Sequence, residues 1–154
     1  MNSLHSVSRT ALVTGSGRNI GRAIAVAIGE QGHNVVINGS EDRAACEAVA
    51  AEVEQAGGQA IVAMGDVGRR ESFDHLIQVA QDAFGAVDIL VNNVAIRPEK
   101  PFLDTTDADW HRVLDVDLNA VFYGCRAALP GMVSNNWGRI INMTGMNAIH
   151  GYSG

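Results

Sequence analysis

The sequence predicts an α/β protein built on a doubly wound parallel sheet. Three observations carry this: short apolar runs rich in β-branched residues, longer stretches of helical spacing between them, and glycines at the returns from helix to strand. The runs fall at residues 10–13, 35–37, 61–63, 89–91 and 140–141. They are continuous rather than alternating, as strands covered on both faces require.

The first run leads directly into Thr14-Gly15-Ser16-Gly17-Arg18-Asn19-Ile20-Gly21, after which Ile20, Ala23, Ile24, Ala27 and Ile28 repeat on one helical face. Gly29 and Gly32 close that helix before the second run. Cys46, Val49, Ala50 and Val53 mark a second helix that ends at Gly57-Gly58, and Phe73, Leu76, Ile77, Ala80 and Phe84 a third that ends at Gly85. A longer fourth helix is predicted over residues 106–129, with Pro130 near its end. Its residues Trp110, Val113, Leu114, Leu118, Val121, Phe122 and Cys125 form one apolar stripe, expected to face the core, with Asp117 in its middle. A carboxylate in such a place has to be paired, hydrated or protonated. The chain shows no internal repeat or linker, so one domain over residues 1–154 is expected, with right-handed crossovers.

Hydrophobic residues make up 47% of the chain and charged residues 18%, enough to build a core. The net charge of −6 argues against a nucleic-acid partner, whose phosphates call for a basic surface. Residues 1–9 lack the apolar run of a signal peptide and no later run is long enough to span a membrane, so the expectation is a soluble, cytoplasmic protein without a membrane partner. Cys46 and Cys125 have no metal-ligand spacing and are read as small core residues, with no metal site expected.

A strand, a glycine-rich turn and a helix N-terminus in succession make a site for an anionic diphosphate, because backbone N–H groups and the helix dipole converge there. The spacing differs from the common dinucleotide fingerprint, since Ile20 stands where the third glycine belongs. It resembles instead the T-G-x-x-x-G-x-G turn of the short-chain dehydrogenase/reductase family, matched by Thr14, Gly15 and Gly21, with Asn19 in place of the middle glycine. Asparagine tolerates left-handed backbone better than most residues, and Gly17 offers a second source of conformational freedom. Asp66-Val67 resembles the family's Asp-Val pair, which implies a contact with adenine. Asn92-Asn93-Val94-Ala95 resembles its N-N-A-G element, and residues 110–122 and 138–142 its long helix and fifth strand.

The resemblance covers essentially the whole chain. It implies a Rossmann fold with five of the family's strands, the C-terminal part missing, and a single truncated NAD(P)-binding domain. The implied cofactor residues are Gly15, Gly17, Arg18, Asn19, Ile20, Gly21, Ser40, Asp66, Val67 and Asn92. An acidic residue at the end of the second strand would hold the ribose of NAD. Here that stretch reads Asn38-Gly39-Ser40 with no carboxylate before Glu41, while Arg18 matches a basic family position, so NADP(H) is favoured over NAD(H) and Arg43 is a further candidate.

The family's reaction interconverts a ketone or aldehyde with an alcohol, using a tyrosine, a lysine four residues later, a serine and an asparagine. No Tyr-x-x-x-Lys occurs in these residues. The single lysine, Lys100, follows Ile96 by four, Tyr123 precedes Ala127 by four, and a partner for Tyr152 would lie past Gly154. Tyr152 and His150 are read as loop residues. The family's serine falls at Gly145, with Thr144 as the nearest hydroxyl, and its asparagine falls at Asp117. The expected parent protein is a dehydrogenase or reductase of a small carbonyl or alcohol substrate, a homodimer or homotetramer, and the chain alone is expected to be inactive and prone to associate. The alternative is a catalytically degenerate nucleotide-binding member acting as a sensor or partner. A flavodoxin-like domain is disfavoured by the glycine loop at the first crossover.

Overall fold

The all-apolar centre of the first run ends up in the middle of the sheet. The computed structural model describes residues 7–145. Its elements are β1 (Thr10–Val13), α1 (Asn19–Gly29), β2 (Asn34–Gly39), α2 (Arg43–Gln55), β3 (Gln59–Met64), α3 (Arg70–Phe84), β4 (Ile89–Asn92), α4 (Asp107–Leu114), α5 (Ala120–Ser134) and β5 (Arg139–Asn142). The strands are all parallel, in the order β3-β2-β1-β4-β5. This is the α/β, Rossmann-like arrangement expected from the sequence.

Alternate residues of the central strands feed two cores. Leu12, Val36 and Leu90 face Phe73, Leu76, Ala120 and Met132 on one side of the sheet. Val13, Val35, Ile37 and Val91 face Ala25, Cys46, Val49 and Val53 on the other. Full burial of one such Leu or Val contributes about 1.5–3 kcal/mol, so the central strands hold the domain together. Among the described residues, no helix is long and apolar enough to cross a membrane.

The long fourth helix differs from expectation in three ways. It is broken into α4 and α5 by a π-helical stretch, Asp115–Asn119. It also runs on to Ser134 with Pro130 inside it. Proline cannot donate a hydrogen bond one turn back, but Ala128 and Met132 on either side stay buried and keep the helix on the sheet. Third, the predicted stripe is not the buried face. Val116, Ala120, Gly124, Ala128 and Met132 point inward, whereas Trp110, Leu118 and Phe122 are 57%, 62% and 59% exposed. Size explains the reversal: the small residues let the helix backbone approach, and a Cβ on Gly124 would lie 2.8 Å from the Phe73 ring. Asp117 is therefore exposed rather than embedded in the core.

A candidate nucleotide site at the carboxyl end of the sheet

From β1 the chain moves outward through β2 and β3, then returns to the other side of β1 as β4. Such a reversal leaves a crevice at the carboxyl ends of the strands. A cleft of about 460 Å³ opens there, within the range that takes a small ligand. Gly15, Gly17, Arg18, Asn19, Ile20 and Gly21 line it from the first crossover, Ser40 from the end of β2, and Asp66 and Val67 from the end of β3.

The loop is shaped by two left-handed residues and one close approach. Gly15 has φ +61° and Asn19 φ +50°, so the asparagine adopts the conformation its side chain tolerates and opens α1. Gly21 must lack a side chain, because a Cβ there would lie 2.4 Å from the Gly15 carbonyl oxygen. Gly17, expected to supply conformational freedom, serves close packing instead: its φ is not positive, and a Cβ would come 3.0 Å from Cys46 Sγ. No side chain caps α1 and no acidic residue sits in its first turn, so no side chain of the helix itself occupies its leading N–H groups beside the cleft.

Buried polar residues lock this loop to the strands beside it. Ser16 Oγ donates to the Val13 carbonyl at 2.8 Å and accepts from the Asn38 N–H at 3.0 Å. The Asn38 side chain accepts from the Gly15 N–H at 3.2 Å and donates to the Ala63 and Gly65 carbonyls, both at 3.1 Å. Across β1, the Asn93 N–H donates to Thr14 Oγ1 and its side-chain amide to the Thr14 carbonyl, each at 2.9 Å. The sequence carries no sign of this role for Asn38, and Asn93 enters it only as part of the element resembling N-N-A-G. Asn92, expected at the cofactor, is not among the cleft residues: it is buried under the sheet end and donates to Asn142 Oδ1 at 2.8 Å.

The charged groups of the cleft are mostly engaged. Burial alone would raise the Asp66 carboxyl, but hydrogen bonds from Arg112 and the Gly68 N–H, with the charges of Arg112 and Arg69, hold it below the usual carboxylate range. Asp42 caps α2, accepting from the Ala45 N–H at 2.9 Å. Arg43 lies 3.8 Å from Glu47 and does not line the cleft, whereas Arg18 does. Burial, with Asp42 nearby, pushes the Cys46 thiol up, so it stays protonated and serves as packing.

Neither candidate catalytic position is among the residues lining the cleft, although Asp117 is hydrogen-bonded to Ile96, which is. Asp117, in the π-helical stretch, accepts from the Ile96 N–H at 2.9 Å and so ties the segment after β4 to the long helix. Thr144 is exposed just beyond β5. His150 and Tyr152 fall outside the described residues. Among the described residues no cluster of His, Cys, Asp and Glu could hold a metal ion.

The family model for short chain dehydrogenases matches residues 9–154. A 3-oxoacyl-[acyl-carrier-protein] reductase from Synechocystis sp. is 37% identical over 147 residues, which cover 96% of this chain and 60% of that protein. A 3beta-hydroxysteroid dehydrogenase 1 from Eggerthella lenta and a D-beta-hydroxybutyrate dehydrogenase from Cupriavidus necator are each 37% identical, covering 92% of this chain and 54% of theirs. The chain thus spans a little over half the length of the curated relatives it matches. With this match along nearly its whole length, on this strand order and glycine loop, the chain belongs to the short-chain dehydrogenase family.

Proposed function

We propose that the cleft binds NADP(H), and that the chain is the cofactor-binding part of an oxidoreductase interconverting a carbonyl and an alcohol. The observation that carries this reading is the glycine loop and uncapped α1 N-terminus at the strand reversal, lined by Arg18. The relatives are named for an oxoacyl group, a hydroxysteroid and a hydroxybutyrate, each with an oxo or hydroxyl oxygen on carbon. On this reading the loop from Gly15 to Gly21 holds the diphosphate, Ser40 the ribose, and Asp66 with Val67 the adenine, while Asn92 supports them from beneath. Arg18 and the lack of a carboxylate at Gly39 and Ser40 favour a 2′-phosphate. The bound nicotinamide supplies or accepts the hydride. Asp117 acts here by positioning the segment after β4, and Thr144 is the hydroxyl nearest the expected serine position. The outward face with Leu118 and Phe122 is the proposed contact of a homodimer or homotetramer.

A second reading, a nucleotide sensor without hydride chemistry, is favoured by Asp117 and Gly145 standing where the family has asparagine and serine. The two share a cleft and differ in turnover. Titrating the chain with NADPH and with NADH, followed by cofactor fluorescence, is expected to show NADPH binding about tenfold tighter. Tighter NADH binding would overturn the choice of cofactor, and binding of neither would overturn the cleft. Carbonyl-dependent oxidation of NADPH by the protein carrying this chain separates enzyme from sensor.

A further inference from the structure

We propose that Arg112 is the positioning residue for the nucleobase end of the cleft: from α4 it grips the Asp66 carboxylate by two prongs and leaves it acceptor capacity for the exocyclic amine of an adenine. This rests on the reading of the cleft as a dinucleotide site. The strand order β3-β2-β1 puts the segment after β3 two strands, roughly 10 Å, from the glycine loop. A ribose and base extending from a diphosphate at that loop cover this distance.

The geometry of the carboxylate is specific. Oδ1 accepts from the Gly68 N–H at 3.0 Å and from Arg112 Nη2 at 3.0 Å. Oδ2 lies 2.9 Å from Arg112 Nη1, with Arg69 Nε further away at 3.9 Å. An ionised carboxylate offers about four lone-pair positions. Both on Oδ1 are taken by hydrogen bonds, while Oδ2 lies against Nη1 in an ion pair and keeps acceptor capacity. Asp66 and Arg112, in direct contact, both line the cleft. The approach of the guanidinium depends on Gly68, where a Cβ would lie 2.5 Å from Nη1.

Stability does not account for this arrangement. With side chains 29% and 47% exposed, the pair belongs with surface ion pairs, which are worth about 0–1 kcal/mol. What the fork supplies is orientation. A planar guanidinium on both carboxylate oxygens fixes the plane of the acceptor, which a point charge cannot do. An acceptor held in this way discriminates between purines. Adenine presents an amine to it, whereas hypoxanthine presents a carbonyl oxygen that repels the carboxylate.

The test is the ratio of dissociation constants for NADPH and its hypoxanthine analogue, read by cofactor fluorescence on the chain. The chain is expected to prefer the adenine form about tenfold, and Arg112→Ala to reduce that preference to about twofold or less. A variant that weakens both ligands equally and keeps the preference would show Arg112 to be merely structural, overturning the proposal. If Arg112→Ala does not fold, Gly68→Ala, whose Cβ displaces the guanidinium, gives the same comparison: a reduced preference supports the proposal and an unchanged one overturns it. Equal binding of both dinucleotides by the unsubstituted chain would overturn this proposal alone. Binding of neither would overturn the cleft reading beneath it.

Discussion

The two sides of β1 are closed to very different degrees. Toward β2 and β3, Val35, Val36 and Ile37 are fully buried, and the loops at the strand ends are tied together through Ser16 and Asn38. Toward β4 and β5, Ile141 and Met143 are 47% and 43% exposed, and α5 turns Phe122 and Val133 outward. Both sides use the same apolar residue types. On one side they pack inward and hold a site rigid, and on the other they form a surface. On α5 the difference lies in where the small residues fall, because Ala120, Gly124 and Ala128 claim the buried face and displace the large ones. Ile141 and Met143 instead lie on and just after β5, the outermost strand on that side of the described sheet.

The largest effect should come from emptying the core that α3 shares with the inner face of α5. Phe73→Ala removes a side chain that is 1% exposed, and should cost about 3–5 kcal/mol in urea unfolding. Phe122→Ala on the open face should stay within about 0.5 kcal/mol, and equal losses at the two positions would erase the contrast.

Next in size is Gly21→Val. Its Cβ has no room beside the Gly15 carbonyl, and overpacking of about 1–3 kcal/mol should weaken NADPH binding by about 10- to 100-fold. Unchanged affinity would place the ligand elsewhere.

A smaller effect, with a pH signature, is expected at Asp66. Its folded pKa is lowered, so its contribution is complete above the ordinary carboxylate value near ~3.9 and is lost as pH falls through the lowered one. Asp66→Asn should therefore cost at most about 1 kcal/mol at pH 7. The gap from the parent should close in acid, as urea midpoints at neutral and acid pH would show.

The smallest effect on stability is expected from Leu118→Ser, which should leave the urea midpoint nearly unchanged. It should nevertheless lower the self-association seen by sedimentation. Unchanged association would remove the open face from the proposed subunit contact.

What could be read from the sequence was local. Continuous apolar runs mark every strand among the described residues, and the turn from Thr14 to Gly21 marks the cleft, because strand, turn and helix start are neighbours in the chain. The left-handed Asn19 followed from its residue type. What escaped were relations across the fold. Arg112 meets a partner 46 residues away, and Asn93 reaches back 79 residues to Thr14, so neither role leaves a periodic trace. The apolar stripe on the long helix is not its buried face, because periodicity shows that a face is apolar without showing which face fits the sheet. Packing chose the face with glycine and alanine, and Asp117 moved with it into solvent.

Hydrogen exchange of the chain with and without NADPH tests the central claim most directly. Added protection is expected in residues 14–22, 38–46, 65–69 and 92–96, with little change over 118–140. Protection concentrated on α5 and β5, or none at saturating NADPH, would contradict it.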